Sequence, residues 1–258
     1  MLLLLDIGNT HTHVGLARGR RMVRRTDLPT PAWRNGEAGP ALLRWVGGEP
    51  LRGAALCSVV PEVTARVVRC VRRRWGFAPL VLTPQTLSGV GIDYPQPDSI
   101  GPDRLANAVA ARRHFGEPVV VLDFGTALTF DVVNGEGNYV GGVIAPGLSA
   151  MTDYLHEKTA LLPRIAIRNT RAVIGRSTEE AMLIGAVHGY RGLVRAVLGE
   201  LQTALGSARL PVVATGGYAR LIARRIPEIR AVRPGLTLEG LRLVWQARSG
   251  PAHRSSRR

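Results

Sequence analysis

Two stretches of this chain end a run of apolar residues on a carboxylate and then begin a second strand almost at once. They are LLLLDIGNTHTHVGL at residues 2–16 and VVVLDFGTALTFDVV at residues 119–133. A strand that enters a core cannot end on a bare carboxylate without a partner, because a buried unpaired charge is costly. Each stretch reads as strand, Asp-x-Gly, Thr (after Asn9 in the first copy) and strand again. Their aspartates, Asp6 and Asp123, lie 117 residues apart. That is about one domain length, and a repeat on this scale predicts a duplicated α/β domain with equivalent β-hairpins facing each other across a cleft.

The segments between the hairpins fit that reading. LRGAALCSVV predicts a short buried strand. PEVTARVVRCVRRRWG predicts a helix with Val63, Val67, Val68 and Val71 on one face, and Pro61 suits its first turn. APLVLTP predicts a further strand and QPDSIGPDR a loop, followed by a helix through PDRLANAVAARRHFG that stops at Gly116. In the second half, NGEGN predicts a hairpin turn rather than a dinucleotide-binding loop, since strand residues flank it on both sides. RSTEEAMLIGAVHGYRGLVRAVLGEL predicts one long helix with a capping box, in which Ser177 reaches forward and Glu180 back. LPVVATGG predicts a strand ending in a glycine turn, with a helix after it. The expected domains are 1–115 and 116–248, with a disordered basic tail over 249–258.

Composition narrows the function classes. The formal charge of +15 invites a nucleic-acid reading, but Lys158 is the only lysine among 34 basic residues. The arginines are scattered along the chain, so the excess reads as coding bias rather than a phosphate-contact surface, and nucleic acid is not expected as a partner. A positive surface still attracts small anions such as nucleotides. Cys57 and Cys70 form no metal-ligand spacing and are expected to be reduced thiols of a cytoplasmic protein. Asp6 cuts short the opening leucines, so no signal peptide is expected, and no apolar run reaches membrane-spanning length. GxxxxGK[ST] is absent, so a P-loop enzyme is not expected.

The hairpins have a chemistry of their own. Gly8 and Gly125 are expected to turn the chain through conformations closed to other residues, leaving backbone N–H groups pointing outward to anionic oxygens. Thr10 and Thr126 add hydroxyl donors. Asp6 and Asp123 can hold a cation, or its waters, that bridges to phosphate.

DIGNT at Asp6 to Thr10 and DFGTALTFD at Asp123 to Asp131 resemble the phosphate motifs of the acetate kinase, sugar kinase, Hsp70 and actin superfamily. YPQPDSIGPDR, GGVIAPGL, GRSTEEAMLIGA, ATGG and LTLEGLRL complete, in order, a set similar to type III pantothenate kinases. The resemblance implies two ribonuclease H-like (actin-like ATPase) domains with the active site in the cleft between them. It also implies phosphorylation of pantothenate to 4′-phosphopantothenate in coenzyme A biosynthesis, with ATP, Mg²⁺, a monovalent cation (K⁺ or NH₄⁺) and a homodimer. By that likeness Asp6, Ile7, Gly8, Asn9, Thr10, His11, Thr12 and His13 form the first ATP loop, and Thr126 is a further ATP contact. Asp123 matches the monovalent-cation ligand and Asp103 the general base. Gly101, Pro102, Asp103 and Arg104 line the pantothenate pocket, with Tyr94 and Thr178 as its other contacts. Arg104 either pairs with a substrate carboxylate or orients Asp103. Leu128 stands where the family usually has threonine, which predicts one hydroxyl fewer near the phosphates, and Pro102 replaces a usual alanine. The competing reading is a non-catalytic relative acting as a transcriptional accessory factor.

Overall fold

The computed structural model describes residues 1–207 and 209–249, so the expected tail lies outside the described residues except for Ser249. The chain divides into two compact units, Met1–His114 with the C-terminal segment from Leu236, and Phe115–Gly235.

The first unit opens with β1 (Leu2–Ile7), β2 (His11–Arg18) and β3 (Arg21–Pro29), an antiparallel meander. Helix α1 (Ala38–Val46) leads to β4 (Gly53–Ser58), which pairs parallel to β1. Helix α2 (Pro61–Trp75) then leads to β5 (Leu80–Val81). The sheet order is β3-β2-β1-β4-β5. Leu3, Leu5, Ile7, Val14, Leu16 and Leu56 meet Leu42, Val63, Val67 and Val71 of α1 and α2 in one core. The predicted valine stripe of α2 is therefore the buried one, with Val68 at its edge. A two-residue strand, β6 (Gly91–Ile92), precedes α3 (Pro102–Phe115).

The second unit repeats the plan. β7 (Val119–Phe124), β8 (Ala127–Val133) and β9 (Asn138–Pro146) form the meander. Helix α4 (Leu148–Lys158) follows, then α5 (Thr178–Ile184) and α6 (Tyr190–Ala204). β10 (Val212–Thr215) pairs parallel to β7, and α7 (Ala219–Ala223) leads to β11 (Ile229–Val232). Within this unit the order runs β9-β8-β7-β10-β11, the same as in the first. The duplication read from two short motifs thus extends to whole sheets.

Three expectations need correction. The long helix over 176–201 is interrupted: Gly185–Gly189 form a π-helical turn between α5 and α6. Its capping box is displaced by one residue. Ser177 Oγ accepts from the Glu180 N–H at 3.1 Å as expected, but Glu180 Oε2 accepts from the N–H of Arg176 at 2.8 Å.

The third correction concerns the C-terminal end of the expected second domain. Helix α8 (Leu236–Ser249) belongs to the first unit. Gly240 lies flat on the Ala106 backbone of α3, so close that a Cβ there would overlap the Ala106 carbonyl. The Thr237 hydroxyl donates to Asn107 Oδ1 at 2.9 Å, and His114 Nε2 lies 2.8 Å from Glu239 Oε1. Backbone-to-backbone approach of this kind is open only to glycine, and it decides which unit α8 joins.

Candidate active site

In the first unit, β1 pairs with β2 on one side and β4 on the other, so Asp6 has His13 and Cys57 as its direct neighbours. The Cys57 thiol donates to Asp6 Oδ1 across 3.3 Å. Burial pushes the Asp6 carboxyl up to about 6, and the negative charge of Asp103 adds to that rise, while His13 and the Cys57 hydrogen bond pull it back. Burial raises the Cys57 thiol well above its ordinary value. Asp6 and Asp103 are therefore electrostatic neighbours although 97 positions separate them in sequence.

Asp103 sits in the first turn of α3, directly after Pro102. Its Oδ1 accepts the backbone N–H of Arg104 at 2.9 Å. Burial raises its pKa, against the opposing pull of that hydrogen bond and the Arg104 charge. A Cβ on Gly101 would stand 2.5 Å from Asp103 Oδ1, so glycine there leaves room for the carboxylate to fold back over the helix start. The main chain and the charge of Arg104 thus both act on the Asp103 carboxylate.

The tip of the first hairpin is closed by Gly8 N–H donating to the His11 carbonyl at 3.0 Å, and the Thr30 hydroxyl donates to the Gly8 carbonyl at 2.7 Å. Asn9, Thr10 and His11 are exposed there. Ile7 and Thr12 are not: Ile7 is in the core, and the Thr12 hydroxyl is buried against Thr30 (3.0 Å) and the Trp33 ring N–H (3.2 Å). Alternation along the strands sends those two side chains inward, leaving only their main chain for a ligand. His13 Nδ1 lies 2.7 Å from Asp27 Oδ1.

In the second unit Asp123 occupies the place equivalent to Asp6, with Thr129 of β8 opposite and Thr215 of β10 alongside. The hairpin is closed by Gly125 N–H donating to the Ala127 carbonyl at 3.1 Å, and Thr126 is exposed at its tip. Neither Gly8 nor Gly125 is among the glycines with positive φ, contrary to expectation. At Gly8 the reason for glycine is space, since a Cβ would press on the His11 carbonyl at 3.2 Å. The glycine that needs the left-handed region is Gly216 of ATGG, at φ 90°, where a Cβ would meet Asp123 Oδ1 at 2.6 Å and Phe124 C at 2.5 Å. Gly147 of APGL likewise lies against the Thr126 backbone. Both glycines were visible in the sequence only as motif letters; their contacts with Asp123 and Thr126 come from strand order.

Leu128 corrects another expectation. It is fully buried in the aliphatic core with Phe124, its cross-strand partner, while Asp123 and Thr129 point to the opposite face. A side chain at 128 does not reach the face that carries Asp123. Tyr94 is half-buried ahead of α3, and Thr178 is the exposed first residue of α5. Among the described residues no group of three or more His, Cys, Asp or Glu is placed to hold a metal ion by itself.

The pattern of the family described as type III pantothenate kinase matches residues 2–200 of this chain. A type III pantothenate kinase of Akkermansia muciniphila is 47% identical over 243 residues, covering 94% of this chain and 97% of that one. One from Methylacidiphilum infernorum is 42% identical over 246 residues, covering 95% and 88%. The chain belongs to the type III pantothenate kinase family. Solved structures share its fold at much lower identity. One is a Campylobacter jejuni protein assigned to the Baf family of transcriptional activators, with TM-score 0.62, 18% identity and coverage of 95% of this chain and 98% of that one. Another is a ROK family glucokinase from Streptomyces griseus in complex with glucose and AMPPNP, with TM-score 0.50, 16% identity and coverage of 95% and 99%. At such identities the likeness concerns fold alone, so the first of them carries no regulatory role to this chain. The fold is that of two duplicated actin-like ATPase domains.

Proposed function

We infer that this chain transfers the γ-phosphoryl group of ATP to the primary alcohol of pantothenate, with Asp103 as general base. The observation that carries the reading is the Asp103 carboxylate, held at the head of α3 by the Arg104 N–H, beside Asp6, with its pKa raised by burial. A carboxylate made more basic than usual is the better acceptor for an alcohol proton that departs as oxygen attacks phosphorus. Most of the remaining barrier is lowered by positioning and charge neutralisation.

The Gly8–Thr10 tip, exposed at Asn9 and Thr10, and Thr126 would receive ATP phosphate oxygens through main-chain N–H groups and hydroxyls. Mg²⁺ fits this donor set, because it keeps several waters and binds through few carboxylates together with substrate phosphates. When bound, it would neutralise charge on the transferring group. Asp123, with Thr129 and Thr215 beside it, would hold the monovalent cation, K⁺ or NH₄⁺. His11 and His13 would border the nucleotide. Tyr94, Gly101, Arg104 and Thr178 would contact pantothenate, and a homodimer is the proposed assembly. The free thiols Cys57 and Cys70 support a cytoplasmic setting.

The test is a coupled kinase assay with ATP, Mg²⁺ and pantothenate, with and without K⁺, on the wild type and Asp103→Asn. Turnover that requires K⁺ and falls about 10²–10⁴-fold in the variant, with ATP still bound, is the expected result. A fully active variant removes Asp103 from the role of base.

A further inference from the structure

The second unit buries a cation that the reaction does not use. Arg191 lies on α6 and is only 5% exposed. Its Nη2 donates to Asn169 Oδ1 at 3.1 Å and to the Leu221 carbonyl at 3.0 Å, while its Nε is buried with no partner. One helical turn on, Arg195 Nη2 donates to the Arg225 carbonyl at 2.6 Å. Two arginines of α6 thus clasp the segment from Leu221 to Arg225 by its carbonyls, and the Arg225 guanidinium is close enough to act on the charge of Arg191.

Among the described residues, no Asp or Glu makes an ion pair with Arg191, Arg195 or Arg225. Glu228, three positions beyond Arg225, has a buried Oε2 that lacks a hydrogen-bond partner of its own. The nearby charges acting on Arg191 are those of Arg225 and Arg195, and with burial they lower its pKa. Neutral carbonyls solvate a guanidinium only partly, and a buried charge left without its opposite is strongly unfavourable. Three guanidinium groups with unspent N–H donors supply the positive charge and the hydrogen-bond donors that a dianion takes up.

We propose that Arg191, Arg195 and Arg225 form an anion-binding site on the second unit that takes a phosphate group. It involves none of the residues assigned to ATP or pantothenate. A bound phosphate would join α6 to the end of α7 and neutralise the buried cation.

Thermal unfolding and calorimetric titration test this with the full chain held at saturating non-hydrolysable ATP analogue and Mg²⁺, so that nucleotide loops are already filled. Inorganic phosphate and methyl phosphate are compared with chloride at equal ionic strength. The expected result is saturable binding of at least one phosphate form with a rise in Tm that chloride does not reproduce. Arg225→Gln and Arg195→Gln, both at exposed positions, should weaken that binding about tenfold, the size of one lost charge-assisted contact. Arg191→Met should abolish it, and if that variant does not fold the two exposed variants decide the matter. Stronger binding of methyl phosphate points to a phosphate monoester as ligand, and stronger binding of inorganic phosphate to the free ion. Absence of any effect beyond chloride, or unchanged affinity in Arg195→Gln and Arg225→Gln, overturns the proposal. Because the readout is binding rather than turnover, an inactive kinase with an intact arginine site would still be recognised.

Discussion

Replacing Gly101 by alanine should separate catalysis from stability in this protein. The added Cβ would stand 2.5 Å from Asp103 Oδ1, whereas ordinary contacts begin near 3.4 Å. The carboxylate must therefore retreat by about 1 Å, and in doing so it loses or lengthens its 2.9 Å bond from the Arg104 N–H. The obstructing atom is the end of a side chain, and Gly101 has no positive φ, so the backbone has no cause to move. Stability should then change by less than about 1 kcal/mol, which is about 2–4 °C in Tm for a chain of this size. Catalysis is less forgiving: a displacement of about 1 Å in a reacting group can cost about 10²-fold. Steady-state kinetics should show kcat down by about that factor with the KM for ATP nearly unchanged, while thermal unfolding stays close to wild type. Activity within twofold of wild type would refute the argument, because it would mean that the Asp103 position observed here is not the one chemistry requires. A fall in Tm of 10 °C or more would also refute it, by showing that the backbone and not the carboxylate gives way.

Asp6→Asn should stabilise the protein at neutral pH. The folded-state pKa of about 6 lies above the ordinary 3.8, so the native state binds the proton more tightly than the unfolded one. The penalty of the buried charge is therefore fully present above about pH 6 and fades as pH falls towards about 4. Urea midpoints across that range should show a gain for the variant at pH 7 that shrinks on acidification; a gain that grows instead would reverse the assigned sign. Gly240→Ala should be severely destabilising, by about 3 kcal/mol or more, because its Cβ would overlap the main chain of Ala106 and force α8 away from α3. Chemical denaturation checks this, and a loss under about 1 kcal/mol would mean that the two helices are not locked at this point.

Much of the fold was legible because it depends on local pattern. Apolar runs broken by Asp-x-Gly mark the two hairpins, and the valine spacing of 61–75 marks α2 and its buried face. The family likeness singled out Asp6, Asp103 and Asp123 without any coordinates. What it did not supply was which side chains turn inward: Ile7, Thr12 and Leu128 stand inside or beside the hairpin motifs, yet each faces the core. A motif records neighbours along the chain, while a pleated strand sends alternate side chains to opposite faces.

The sequence by itself determined the duplication, the two acidic hairpins and the family, since each is written in short contiguous stretches. Tertiary structure alone decided that α8 returns to the first unit, that Cys57 and Asp103 become neighbours of Asp6, and that Gly216 rather than Gly125 carries the left-handed turn beside Asp123. The physical reason is common to all three. Sheet order and helix contact join residues that are far apart in the chain, and burial shifts a carboxyl only once those distant groups have displaced its water.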